Sequence, residues 1–391
     1  MSKWQMKPLG DLCVIERGGS PRPIDEYITD DPNGVNWIKI GDTTESMYIT
    51  ATKEKIIPEG IKKSRYVKKG DFILSNSMSF GRPYILDIDG CIHDGWLVIR
   101  DNDELFDKRF LYYFLGSPVI YEKFKSMAVG GVVNNLNIDM VKKVSVPILS
   151  LSEQRKIADE LDKVTKIIDY RKQQLSKLDE LVKARFVEMF GDIKTGTYKF
   201  QICKLGDVAK VGSSHRVFTT EFVEDGVPFY RGTEIGELAN GIIPENPYRI
   251  TKEHYDRLAC DETKPKVGDL LMPSICNKGQ IWMVDTEEPF YYKDGRVLCI
   301  SPDRKLFNCK YLEQFMREKT LVEYPKLGSG STFAEFKIFL LKDIDVLIPP
   351  IELQNEFADF VKQTEKSKLS IQQSLEKLET LKKSLMQQYF G

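Results

Sequence analysis

The stretch "PILSLSEQRKIADELDK", residues 147–163, decides how this chain is read. A proline-bearing apolar run ends, and a polar segment with apolar residues at helical spacing begins. At residues 349–364 the chain reads "PPIELQNEFADFVKQT" and again runs into a helical pattern, with Gln354 placed 200 residues after Gln154. One chain that launches the same long helix twice predicts an internal repeat.

The repeat extends outward from both junctions. "KPLGDLCVI" near the start is echoed by "CKLGDVAKV", with Leu205 lying 196 residues after Leu9. "KKGDFIL" is echoed by "KVGDLLM" at an offset of 198, from Gly70 to Gly268. "DGWLVI" from Asp94 and "DGRVLCI" from Asp294 match at 200, as do Val144 with Ile344 and Phe190 with Phe390. Each repeat begins with short β-rich runs between Gly, Pro and Asp turns, such as "DFILSNS" and "DLLMPSI". It ends in about forty residues of helical period. The expected layout is globular 1–150, helix 151–191, globular 192–350 and helix 351–391. A chain of 391 residues also exceeds one ordinary core.

The first helical stretch carries Ile157, Leu161, Val164, Ile168, Leu175, Leu178, Val182 and Met189, a heptad seam broken by Arg171 and Arg185. The second carries Phe357, Val361, Ile371, Leu375, Leu378, Leu385 and Tyr389, broken by Thr364, Lys368 and Lys382. A single seam cannot be buried in water, and two matching seams most simply bury each other. The alternative is two surface helices, each packed on its own domain. At 1.5 Å per residue each helix is a rod of about 58 Å.

Composition is globular, with 41% hydrophobic and 29% charged residues and a formal net charge of −1. The near-neutral charge argues against a strongly basic nucleic-acid binder. No apolar run is long enough to span a bilayer, and "MSKWQMKPLGDL" has no apolar signal region. Seven scattered cysteines without a CxxC pair predict reduced thiols and a cytoplasmic protein.

A search for catalytic patterns finds no GxxxxGK[ST], no GxGxxG after a strand, no HExxH and no GxSxG. Three histidines supply no metal-ligand spacing. "ENPYRI" lacks the second proline of an amino-methyltransferase tetrapeptide and reads as a turn. Pro302-Asp303 with Glu335-Phe-Lys337 loosely fits a nuclease pattern that the first repeat does not share. The chain is expected to be non-catalytic.

What remains is polar and basic loop chemistry at matching places. The Gly/Ser loops "ERGGSPRP" and "VGSSHRV" offer Ser20, Arg22, Ser214, His215 and Arg216. The loops "SNSMSFGRPY" and "PSICNKGQIW" offer Ser79 and Arg82, then Asn277, Lys278 and Gln280. The glycine turns "AVGGVVNN" and "LGSGST" offer Asn134, Ser329 and Ser331. Lys39 and Arg231 stand near the ends of matching strands. The run "IKKSRYVKK" brings Lys62, Lys63 and Arg65 together as a phosphate-contacting patch. Such side chains on loops serve base readout and phosphate positioning, although glycine loops are often only turns and lysine runs only solvated faces.

This constellation resembles the DNA-specificity subunit of Type I restriction–modification systems over essentially the whole chain. The resemblance rests on "VPILSLSEQ" and "VLIPPIELQ" before the helices, on Phe190-Gly191-Asp192 at a helix end, and on "PLGDL" and "KLGDV" at the repeat starts. The first junction lacks the family's paired prolines, and Leu353 replaces its second acid. The resemblance implies an α/β fold of two target-recognition domains joined by two long helices in an antiparallel coiled coil, with pseudo-two-fold symmetry. It implies a non-enzymatic chain that reads an asymmetric, bipartite double-stranded DNA site. It implies two methyltransferase subunits docking near Gln154, Arg155, Phe190, Gln354 and Phe390, with restriction subunits joining them. It places S-adenosylmethionine, ATP and Mg on those partners and none in this chain. The competing readings are a specificity scaffold of a related defence system, an unrecognised hydrolase, and a coiled-coil adaptor that never touches DNA.

Overall fold

The computed structural model describes residues 4–77, 81–101, 104–128, 135–259, 263–328 and 334–391. The chain divides into two compact units, Met1–Lys172 with Gln373–Gly391, and Gln173–Gln372. Each unit holds one globular part and a segment of both long helices, Leu151–Phe190 and Ile351–Phe390.

In the first unit a five-stranded sheet runs in the order Val14–Arg17, Trp96–Arg100, Phe72–Ser75, Pro83–Leu86, Tyr48–Ile49. Phe72–Ser75 and Pro83–Leu86 are buried at every position, which is why they read as continuous apolar runs and not as alternating strands. A second five-stranded sheet contains Val35–Ile38 parallel to Gly90–Ile92, with Cys91 opposite Trp37. Met6–Pro8 pairs antiparallel with Ser145–Pro147, Lys7 opposite Val146, and so ties the start of the repeat to its junction.

The second unit repeats this plan with fewer outer strands. Its main sheet is Ala209–Gly212, Val297–Pro302, Leu270–Pro273, Trp282–Met283. Its smaller sheet again has one parallel pair, with Phe229 opposite Tyr291. Ile202–Lys204 pairs with Asp345–Leu347, Cys203 opposite Val346. Val146 and Val346, matched in sequence, therefore hold the same place in each fold.

The junction stretch forms its helix by a capping box. The Ser150 hydroxyl accepts the Glu153 N–H at 3.3 Å, and the Glu153 carboxylate accepts the Ser150 N–H at 3.1 Å. The second long helix lacks this serine; there the Pro350 carbonyl accepts the N–H groups of Leu353 and Gln354.

Segments of the two long helices pack antiparallel inside each unit. In the second, Lys368 pairs with Asp179 at 2.6 Å and Glu356 with Arg185 at 2.7 Å, so one numbering rises as the other falls. In the first, Tyr389 donates to Glu160, and Lys382 lies in the field of Asp169. Three of the charged breaks in the seams, Arg185, Lys368 and Lys382, thus face acidic residues of the other helix. Lys382 is half-buried, and that burial holds its pKa below the usual lysine value.

The ends of these helices complete the cores. Phe390 packs on Phe110 and Phe114 at ring separations of 5.7 and 5.6 Å. Phe190 packs on Tyr311 and Phe357 at 4.9 and 5.4 Å. Each globular part is closed by the helix end of the other repeat. Burial pushes the thiols of Cys13 and Cys299 up to about 12 and that of Cys276 to about 11, so these cysteines act as small core residues.

Candidate nucleic-acid interface

In each unit the Gly/Ser loop and the end of a buried strand meet at one Asp-Gly turn. In the first unit the turn is Asp94-Gly95. The Gly/Ser loop lies on it, with Gly18 N–H donating to the Trp96 carbonyl at 2.9 Å and Gly19 N–H to that of Ile92 at 3.1 Å. A Cβ on Gly18 would stand 2.1 Å from the His93 carbonyl oxygen, so only glycine permits this approach. Asn76, at the end of the buried strand, donates its N–H to the Gly95 carbonyl and its side-chain amide to the Asp94 carbonyl. Leu136, just after the glycine turn, donates to the Asn76 carbonyl at 2.9 Å.

The second unit is built alike around Asp294-Gly295. Ser213 accepts the Gly295 N–H and donates to the Val297 carbonyl, both at 2.8 Å. Ser274 donates to the Arg296 carbonyl, and Phe336 donates to the Ser274 carbonyl at 2.7 Å, just as Leu136 does to Asn76.

The side chains on this shared frame differ. Ser20 donates to the Asp94 carboxylate at 2.9 Å, and Arg22 approaches it at 3.6 Å. Burial pushes the Asp94 carboxyl up, but the Ser20 hydroxyl, with His93 and Arg17 beside it, outweighs that and holds it below the usual carboxylate range. In the second unit Arg216 donates to Asp294 at 3.1 Å, Ser214 to the Tyr292 carbonyl at 2.5 Å, and the His215 N–H to the Tyr291 hydroxyl at 2.9 Å. Asn76 Oδ1 and Trp96 Nε1 are buried at the first turn without a hydrogen-bond partner among the described residues.

The other expected contacts divide. Arg82, Lys62, Asn277 and Lys278 are exposed, while Gln280 folds back to accept the Lys278 N–H. Lys63 reaches Tyr27 and lies over its ring. Lys39 is ion-paired with Glu54, Arg65 with Glu16 and Arg231 with Glu234, so these three do not offer free charges. Ser79, Asn134, Ser329 and Ser331 lie outside the described residues.

Four of the residues expected at partner docking are buried in this chain: Gln154 and Gln354 are 1% and 0% exposed, and Phe190 and Phe390 lie in the cores. The glutamines and the helix-end phenylalanines recur because each repeat needs the same internal fastening. Arg155 is exposed, 3.8 Å from Asp107. Asp94 and Asp294 were visible only as a repeat landmark.

Among the described residues no group of three or more His, Cys, Asp or Glu side chains is placed to hold a metal ion, and no helix is long and apolar enough to cross a membrane. Residues 1–180 match the family described as the Type I restriction modification DNA specificity domain. That stretch of 180 residues is similar to Type I restriction–modification DNA-specificity domains. The chain is 22% identical over 382 residues to the Type I restriction enzyme MjaIX specificity subunit of Methanocaldococcus jannaschii, covering 92% of this chain and 86% of that one. Its fold is similar to that of the S subunit of a Type I system from M. genitalium, with TM-score 0.56 at 16% identity, covering 100% and 96% of the two chains. A chain from a structure of Type I complex assembly and conformational transition gives TM-score 0.60 at 18% identity, covering 99% and 97%. The fold likeness spans the second unit as well as the first. The matched domain and the Methanocaldococcus jannaschii relative are DNA-specificity components of Type I restriction–modification systems.

Proposed function

We propose that each globular part reads one half of an asymmetric, bipartite DNA site. We propose further that the two long helices form one antiparallel coiled coil that sets the spacer and carries the methyltransferase subunits. The observation that supports this reading is the twofold frame: each Asp-Gly turn gathers a Gly/Ser loop and a strand end, and the two loops carry different side chains, Ser20 and Arg22 against His215 and Arg216. A common scaffold with different donors is what two unlike half-sites need. The chain itself is non-catalytic in this reading. Two methyltransferase subunits supply S-adenosylmethionine chemistry, and restriction subunits supply ATP- and Mg-dependent steps. The net charge of −1 fits a reader whose partners hold much of the DNA.

Long-read methylome sequencing of cells carrying the system tests this. One asymmetric motif with an unmethylated spacer is expected, and it should vanish when the gene is deleted. A motif that stays methylated without the gene sinks the reading.

A further inference from the structure

The two Asp-Gly turns share one relationship that the loops around them do not. Asp94 faces Arg22, and Asp294 faces Arg216, although the two loops carry the arginine in different contexts, "GGSPR" and "GSSHR". In the first unit Ser20 donates to one carboxylate oxygen, Oδ1, while Arg22 approaches the other, Oδ2. In the second the arginine bonds its aspartate directly through Nε.

Both arginines are surface side chains, with 82% and 69% of the side chain exposed. Ion pairs this exposed contribute little to stability, because solvent screens them and ordering a long side chain costs entropy. A carboxylate among loops that meet DNA also repels phosphate. Pairing with the arginine therefore adds little to the fold, and a positioning role accounts for an aspartate that faces the loop arginine in both units. An unrestrained arginine samples many rotamers and reads any nearby acceptor, whereas one held on a carboxylate presents its remaining N–H groups in one direction. The aspartates are themselves anchored. The Asp94 carbonyl accepts from Arg17 at 2.9 Å and from Asn76 at 3.0 Å, and Asn76 is 2% exposed. The Gly295 N–H next to Asp294 is held by Ser213.

We propose that Asp94 and Asp294 are positioning residues for half-site reading, each holding the arginine of its own unit's Gly/Ser loop in the pose that selects a base. This rests on the reading of each unit as a half-site reader.

The test is methylome sequencing of cells carrying the system with wild-type, Asp94→Asn or Asp294→Asn chains, scoring methylation at every single-base variant of the wild-type motif. The wild-type chain comes first: if it directs no bipartite motif, the underlying reading fails, whatever the aspartates do. Given a motif, Asp94→Asn should lower discrimination by about tenfold at one base position in one half-site and leave the other half-site unchanged. Asp294→Asn should do the reverse. Substitution by glutamate should restore part of the discrimination, which a merely structural loss would not show. Unchanged discrimination in both variants, or equal loss in both half-sites from either, overturns the proposal. If an aspartate variant does not accumulate as folded chain, Arg22→Lys and Arg216→Lys replace it. These keep the charge and lose the fork, and the same one-sided loss is expected. Full discrimination in them overturns the proposal equally.

Discussion

The side-chain oxygen of Gln154 accepts the backbone N–H of Asp107 at 2.9 Å, and the carboxylate of Asp107 caps the helix that follows it. The Gln154 amide nitrogen donates to the carbonyls of Leu105 and Leu149 at 2.8 and 3.0 Å. Gln354 makes the same three bonds, to the Asn308 N–H and to the carbonyls of Leu306 and Pro349, all at 2.8–2.9 Å. Each glutamine fastens the first turn of a long helix to the cap of a globular helix.

Removing either amide leaves buried backbone groups without partners, at a cost of about 1–3 kcal/mol for each group that water cannot reach. Gln154→Ala should lower the stability of the first unit by about 2–4 kcal/mol, and Gln354→Ala that of the second. Hydrogen exchange resolved along the chain should show the loss confined to the unit that holds the substitution.

Phe390 and Phe190 lie in the cores of the first and second units. Truncating either to alanine should cost about 3–5 kcal/mol, the usual range for a buried phenylalanine. Phe390→Ala, at the end of the sequence, should make residues 1–172 more sensitive to limited proteolysis than residues 173–372.

Gly18 and Gly212 stand at matching places but not in matching space. Gly18→Ala drives a Cβ into the His93 carbonyl and should destabilise the first unit by about 1–3 kcal/mol while displacing its Gly/Ser loop. A Cβ on Gly212 meets nothing within 4 Å, so Gly212→Ala should leave the melting temperature nearly unchanged. Thermal unfolding of the two variants compares them directly.

The hydrogen bond to Glu160 pushes the Tyr389 phenol up to about 12. A raised folded value means that the folded chain keeps a proton the unfolded chain loses. The stabilisation is therefore fully present below the ordinary tyrosine pKa, near 10, and is lost as pH rises toward about 12. Tyr389→Phe should flatten the fall in stability across that window, read from urea midpoints at stepped pH.

Lys62 is exposed, whereas its neighbour Lys63 is held on Tyr27. If this run contacts phosphate, Lys62→Gln should weaken DNA binding alike on cognate and unrelated duplexes. It should also reduce the slope of log K against log salt by about 1. Binding of the assembled methyltransferase complex across a salt series measures both.

The sequence by itself determined the repeat, the two long helices and the loops that carry polar chemistry. Offsets of 196 to 200 residues and heptad spacing follow from local periodicity, which needs no knowledge of distant contacts. That Val146 and Val346 pair with the opening strands of their repeats is seen only in the tertiary structure. Only the tertiary structure decided what the recurring residues do. Gln154 and Phe390 recur like docking residues on a surface, and they are buried fasteners because carbonyls and rings from distant segments surround them. Lys39, Arg65 and Arg231 read as free cations until Glu54, Glu16 and Glu234 are seen beside them. Asp94 and Asp294 stand out only once the Gly/Ser loop and the end of a distant buried strand are seen to meet at each turn. Recurrence is a property of one residue and its neighbours in sequence; burial and charge pairing are properties of its neighbours in space.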